Sequence, residues 1–283
     1  MSSFLNPAVS ADRLHDLLDQ YPIDQIPLDR AALALARPHC ERMAWEATLS
    51  RLDELAEEVR QLAGAGTTGA QWLEPLRQVL FQRRGFRGNE EDYYSPENSF
   101  LNRVLETRRG NPILLSLLMI EVGGRIGLDL VGIGLPCHFL VGYPDAGGMR
   151  YFDPFFGGVE RTEAGCVGHI NKLSGGSVRV LPEHFEPVSK RAFLSRILVN
   201  LRCIYRSRGE THHLISVLKH LLLLHPGDSS LHIEAAQVLS EMEDPREALR
   251  HVEAIVGGNP EMKNCARVRT ALKEVAGKLA ALN

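Results

Sequence analysis

The sequence has little excess charge of either sign. Lysine and arginine number 32 against 35 aspartates and glutamates, a formal charge of −3 over 283 residues. That balance removes the broad electrostatic attraction that nucleic-acid and anionic-membrane binders carry, so no direct nucleic-acid partner is expected. Cys40, Cys137, Cys166, Cys203 and Cys265 are an odd, scattered set without a CxxC pair, which fits reduced thiols rather than a disulfide framework. Long apolar runs are lacking too: Leu214–Leu224, the longest on a helical pattern, is broken by Lys219 and His220 and falls well short of the roughly 20 residues of a membrane span. The opening MSSFLNPAVSADRLHDLL places Asp and Arg where an export signal needs apolar residues. A cytoplasmic location without membrane contact is the expectation. Several chemical signatures are missing as well: GxxxxGK(S/T), GxGxxG after a strand, HExxH and GxSxG. Nucleotide, dinucleotide, zincin and α/β-hydrolase functions lose their support.

What is present is patterned. Leu49, Leu52, Leu55, Ala56, Val59 and Leu62 recur at three- and four-residue steps among charged residues, the mark of an amphipathic helix. GAGTTGA, Gly64–Ala70, has loop composition, and Trp72–Phe81 resumes the helical pattern. Ser95-Pro96-Glu97-Asn98 reads as a helix start, with Ser95 as cap and Pro96 where its missing N–H is harmless; Gly110 is expected to end that helix. Asn111-Pro112 repeats the start signal ahead of PILLSLLMIEVGGRIG, apolar on nearly every side and therefore expected as a buried central helix. From Leu130 the period shortens, and LVGIGL, HFLVGY and Met149–Asp153 read as strands around the turn Pro144–Gly148. A turn centred near residue 146 makes cross-strand partners sum to about 292, which brings His138 to the open end of the hairpin beside Asp153. A linker rich in Gly, Ser and Pro is expected at about Gly158–Val188.

The last hundred residues turn helical and carry a repeat. Pro226 and Pro260, Tyr205 and Leu239, Leu214 and Ala248, Leu218 and Val252, and Leu222 and Val256 are each 34 positions apart. This period and its helix–turn–helix–Pro pattern resemble tetratricopeptide repeats, in degenerate form: Leu201-Arg202 stands where the second copy has Ala235-Ala236. Two copies plus a terminal helix, Cys265–Leu282, are expected to stack against the core, since so short an array rarely stands alone.

The strings GFRGNEEDYYSPENSFLNRVLETRRGNPILLSLLMIEVGGRIGLDLVGIGLPCHFLVG and YFDPFFGG resemble a bacterial branch of the transglutaminase-like superfamily, the Sir B-type proteins, named for an invasion-gene activator. The resemblance runs over about Trp72–Asn283 and implies an α+β fold. Its core is papain-like, a central helix packed on an antiparallel sheet, and tetratricopeptide-like repeats follow it. The resulting plan is a helical N-terminal segment at 1–80, a transglutaminase-like core at 81–188 and helical repeats at 189–283. In catalytic members of the superfamily a cysteine at the N-terminus of the central helix works with His and Asp on adjacent strands. The helix dipole and a neighbouring imidazolium favour its thiolate. By the motif His138 matches the histidine and Asp153 the acid, while the nucleophile's position holds Pro112, which cannot attack a carbonyl.

Three uses of this degenerate triad are open: a structural His–Asp pair, a cleft that binds an extended peptide or chain terminus, or residual catalysis. Ser116 lies one turn beyond Pro112, roughly 6 Å along the helix axis, and is one replacement nucleophile. Cys137 adjoins His138, but strand neighbours point to opposite faces, so its sulfur is expected to face away. Asn98, Asn102, Arg109 and Asn111 complete the cleft residues. The two asparagines are expected to hold the backbone near Arg109-Gly110, and Arg108 or Arg109 to pair with Asp153 or a bound carboxylate. Cys166-x-x-His169 with His138 and Asp153 is too diffuse a set in a glycine-rich loop to imply zinc, so neither metal nor cofactor is expected. The reading is a non-catalytic protein- or peptide-binding, regulatory protein. A hydrolase or acyl transferase using His138 and Asp153 is the alternative, and a homo-oligomeric assembly subunit is a third.

Overall fold

The computed structural model describes residues 13–40 and 43–281; residues 1–12, with most of the opening stretch used for the export argument, and the last residue of the expected terminal helix, Leu282, lie outside that range. Helices α1 (Leu14–Gln20), α2 (Leu28–Ala36) and α3 (Trp45–Ala63) come first. α2 is buried along its whole length apart from Arg30. α3 buries Leu49, Leu52, Leu55, Ala56 and Val59, the stripe that its spacing predicts. After a loop at 64–68, Thr68 and Gln71 cap each other's backbone and open a turn into α4 (Leu73–Arg77), which continues as a π-helical segment, Gln78–Arg83.

The two-residue strand β1 (Arg87–Gly88) pairs in parallel with β2 (Arg109–Gly110), and α5 (Leu101–Thr107) lies between them in sequence. The expected helix start at Ser95 is corrected here. Pro96–Ser99 forms only a 3-10 turn, and Ser95 makes no side-chain cap. α5 then ends at Arg108, φ +59°, rather than at Gly110. Gly110 is needed elsewhere: a Cβ there would lie 3.0 Å from Val104 and 3.1 Å from Leu115, so its bareness lets β2 pass close to two helices.

α6 (Pro112–Arg125) is the central helix, and its first eight residues are all buried. Asn111 caps it, Oδ1 accepting the Leu114 N–H at 2.9 Å. Arg125 ties its far end to Asp29 at 2.7 Å, Asp53 at 2.7 Å and Glu121 at 2.9 Å. Against it lies an antiparallel sheet of β3 (Val131–Ile133), β4 (Leu140–Asp145), β5 (Gly148–Asp153) and β6 (Val159–Arg161), in that order. Val141 pairs with Phe152 and Gly142 with Tyr151, one residue away from the register that the turn arithmetic gives. Val141 and Phe152 face the main core, whereas Leu140 and Tyr151 face α7 (Glu163–Ser174). That helix replaces the expected linker. Thr162 caps it through the Gly165 N–H at 3.1 Å, a start signal obscured by the glycines around it.

Five further helices close the chain: α8 (Lys190–Arg208), α9 (Thr211–Leu224), α10 (Ser229–Glu241), α11 (Pro245–Gly258) and α12 (Ala266–Ala281). Each packs on the next, and α8 also packs on α2 and α6. One cluster of buried apolar side chains therefore runs from Leu14 through α6 to Val275. Among the described residues no helix is long and apolar enough to cross a membrane.

The turn after β5 depends on Gly158. Its φ is +69°, and a Cβ would stand 2.3 Å from the Phe81 ring. Gly158→Ala is expected to lower stability by about 2 kcal/mol or more through backbone strain and overpacking. Gly124→Ala in α6, where a Cβ meets nothing within 4 Å, should be neutral or stabilising by up to about 1 kcal/mol. Denaturant unfolding of the two variants checks the contrast.

Candidate functional site

Asp153 closes β5 with none of its surface exposed, and His138 is 4% exposed. His138 sits two residues ahead of β4 rather than inside a strand, in a turn whose Leu135 carbonyl accepts the His138 N–H at 3.2 Å. Arg196 of α8 donates to the same carbonyl at 3.0 Å and pins the turn. His138 Nε2 and Asp153 Oδ1 are 3.0 Å apart, and Arg161 Nε donates to Asp153 Oδ2 at 2.7 Å. A carboxylate only accepts, so in the neutral imidazole the Nε2 position carries the proton and Nδ1 is an acceptor. Nδ1 makes no hydrogen bond among the described residues, and His138 lines a cleft. Burial alone would raise the Asp153 carboxyl, but the hydrogen bonds and charges of His138 and Arg161 outweigh it and hold it below the usual carboxylate range.

The cleft, about 220 Å³, is bordered on one side by Tyr93, Asn111, Pro112, Ile113, Cys137 and His138, and on the other by Arg196, Val199, Asn200 and Cys203 of α8. The N-terminus of the central helix and His138 thus border one space. Asn111 is fully employed beside it, capping α6 and donating to Ser99 Oγ at 2.9 Å.

Several expected residues lie elsewhere. Ser116 is inaccessible, its hydroxyl without a hydrogen-bond partner among the described residues, because the apolar face on which it sits is buried in the core. Asn98 holds a different loop from the one expected: its amide donates to the Asp92 and Tyr93 carbonyls at 2.7 and 3.1 Å and accepts from Asn89 at 2.9 Å. Among the described residues, the Asn102 side chain reaches only Cys40 Sγ, at 3.7 Å. Arg109 lines a separate surface cavity with Arg87, Glu90, Glu91 and Phe156, and Arg161 takes the carboxylate contact expected of Arg108 or Arg109. For Cys137 the premise is corrected: it occupies a turn at φ +59°, where strand alternation does not apply, and this exposed residue lines the cleft together with His138.

The α8 wall is not among the residues singled out in the sequence. Arg196, Val199, Asn200 and Cys203 are spaced three, one and three apart, a single helix face, but α8 carries charged residues on other faces too, so no polar stripe stands out. Cys166 and His169 lie in a helix rather than in the expected loop. In α7, His169 comes to 5.2 Å from His138, ring centre to ring centre, and a ligand atom from each of His138, Asp153 and His169 lies within 4.8 Å of the others. Burial, with the nearby charges of His138 and Arg161, lowers the His169 pKa. Cys166 stays outside this trio, and burial pushes its thiol up to about 11.

A His–Asp pair beside the N-terminus of a buried helix that packs on an antiparallel sheet is the layout expected of the papain-like core. A transglutaminase-like superfamily model matches residues 46–199. The chain belongs to the transglutaminase-like superfamily. Related proteins include a UPF0162 protein of Xylella fastidiosa strain 9a5c, 35% identical over 64% of this chain and 66% of its own length. A UPF0162 protein of Pseudomonas aeruginosa is 26% identical over 77% of this chain and 80% of its own. Human F-box only protein 21 is 28% identical over 50% of this chain and 23% of its own length. The chain thus spans just under two thirds of the Xylella relative. No solved structure matches it.

Within this superfamily member, Asp153→Asn removes a carboxylate that two donors hold. At pH 7 the variant should be less stable by about 2–3 kcal/mol, the scale of hydrogen bonds to a charged group. A depressed carboxyl stabilises the fold above the ordinary carboxylate range, and that contribution is lost as pH falls through the folded-state value. The gap between the two proteins should therefore narrow below about pH 4, as chemical denaturation at several pH values would show.

Proposed function

We propose that this transglutaminase-like chain recognises an extended protein segment in the cleft between Pro112 and His138, and does not use the superfamily's thiol chemistry. One observation carries the reading: the residue facing that cleft at the start of α6 is a proline, whereas the His–Asp pair that would serve a nucleophile is intact. Such a cleft offers a peptide directional contacts without a group to attack it. Nδ1 of His138 accepts an N–H, Asn200 supplies an amide, Val199 supplies 40%-exposed apolar surface, and Arg196 favours a segment with a carboxylate. No acidic side chain lines the cleft. The occurrence of a related stretch inside a much longer F-box protein suits a recognition module carried in different architectures.

The finer family reading belongs to the same proposal. We read the chain as a Sir B-type protein and α8–α12 as degenerate tetratricopeptide-type repeats that present a second surface for a partner. The burial of Tyr205 with Leu239, Leu214 with Ala248 and Leu218 with Val252 at equivalent positions supports this. Its regulatory effect, in a cytoplasmic setting, would be exerted by binding. An assembly subunit would call for a broad apolar patch, and on these helices the exposed large apolar side chains are Val199 and Leu223.

A second reading, acyl transfer or hydrolysis, is favoured by one feature: the exposed thiol of Cys137 beside His138 in a strained backbone conformation. Selection of peptides on the full chain, followed by anisotropy titration of the best binder, separates the two. The binding reading predicts that His138→Ala weakens the peptide about tenfold, one hydrogen bond's worth, and that mass spectrometry recovers it intact. Cleaved peptide, or acyl-Cys137 in the protein, would establish the second reading, and affinity indifferent to His138→Ala would move recognition off the cleft.

A further inference from the structure

Asp153 points away from the main core. The two-residue period of β5 puts it on the side of Tyr151, which packs with Cys166 and Ile170 of α7. His169 of α7 lies close by, one of its ring nitrogens within 4.8 Å of the ligand atoms of Asp153 and His138. Its Nε2 is buried and has no hydrogen-bond partner among the described residues, an arrangement that is costly for a polar atom. Its ring lies against those of His138 and Phe156, with centres at 5.2 and 4.9 Å.

We propose that His138, Asp153 and His169 form a site for a divalent transition metal of the zinc type, the ion taking the place of the proton that His138 Nε2 and Asp153 Oδ1 share. Two imidazoles and one carboxylate suit zinc in an open tetrahedral site whose fourth ligand is water. Bonds of about 2.0–2.1 Å put tetrahedral donor atoms about 3.3–3.4 Å apart. The His138–Asp153 pair already stands at 3.0 Å. The widest separation in the trio is at most 4.8 Å, and a rotation of the half-buried His169 side chain closes the difference of about 1.5 Å. As the ion binds Nε2, His138 takes its other neutral tautomer, its proton moving by way of solvent to Nδ1, with no net proton released. Arg161, on Oδ2 at 2.7 Å, leaves Oδ1 as the single carboxylate donor and fixes its direction, as hydrogen bonds to ligating carboxylates do; its charge moderates the affinity. Cys166 contributes no donor to the trio.

This inference does not rest on peptide recognition, because His169 does not line the Pro112 cleft. The probe is cobalt(II), titrated into the full chain carrying Cys137→Ser and Cys203→Ser so that these exposed cleft thiols supply no ligands, with zinc added in competition. The expected result is one equivalent bound with a tetrahedral cobalt spectrum, no thiolate charge-transfer band, and displacement by zinc. His169→Ala should weaken binding at least tenfold while leaving selected-peptide affinity unchanged. His169→Gln, which keeps the side-chain volume, serves if the alanine variant unfolds on heating below the parent. Absence of one-to-one binding in the parent, or equal affinity in the His169 variants, overturns the proposal.

Discussion

The site depends on one buried carboxylate. Asp153, with no exposed surface, is held from one side by an imidazole at 3.0 Å and from the other by a guanidinium at 2.7 Å. A charge so placed is tolerable only with both partners in position. That requirement adds side-chain ties between β5, β6 and the turn before β4 to the backbone pairing that already joins the strands. It also decides the chemistry of His138. With Nε2 committed to the carboxylate, Nδ1 alone is left for the cleft, the division of labour that a nucleophile's partner needs.

The other half of the site is the start of α6. Asn111 caps the helix and Pro112 occupies its first position, where proline's fixed φ and missing N–H are favourable. The residue that best begins a helix thus occupies the place where the superfamily's catalytic members carry their thiol. On the proposed reading, a stable helix start stands where a nucleophile would, beside the His138 acceptor, the cleft and the α8 wall. The proposed recognition role rests on this combination, a cleft lined by His138 and α8 with a proline at the start of α6.

How much of this was legible in the sequence depends on the range of the interaction. The α3 stripe and the apolar run of α6 announce themselves, because helical periodicity is local. The His138–Asp153 pair was also within reach, since a hairpin brings its open end together whatever lies around it; the register was off by one residue, too little to separate the pair. Arg161 escaped because it meets Asp153 diagonally across β5 and β6, Tyr151 pairing with Arg161 and Asp153 with Val159, and β6 was hidden in a segment read as linker. α7 was hidden in the same way by Gly165 and Gly168, residues that weaken any helical signal. Alternation has no hold on Cys137, which adopts a turn with positive φ. The α8 wall lies some 60 residues further along the chain, and only packing places it over Pro112.

The central claim is that the Pro112–His138 cleft keeps the geometry of a superfamily active site whose nucleophile has been replaced. The most direct test restores the thiol: Pro112→Cys in a chain carrying Cys137→Ser and Cys203→Ser, with the pH dependence of its alkylation rate measured with and without His138→Ala. The account predicts a thiol titrating well below the ordinary value of about 8.5, helped by the helix N-terminus and the imidazole, and moving back toward it when His138 is removed. A thiol that titrates normally and is indifferent to His138 would contradict the account.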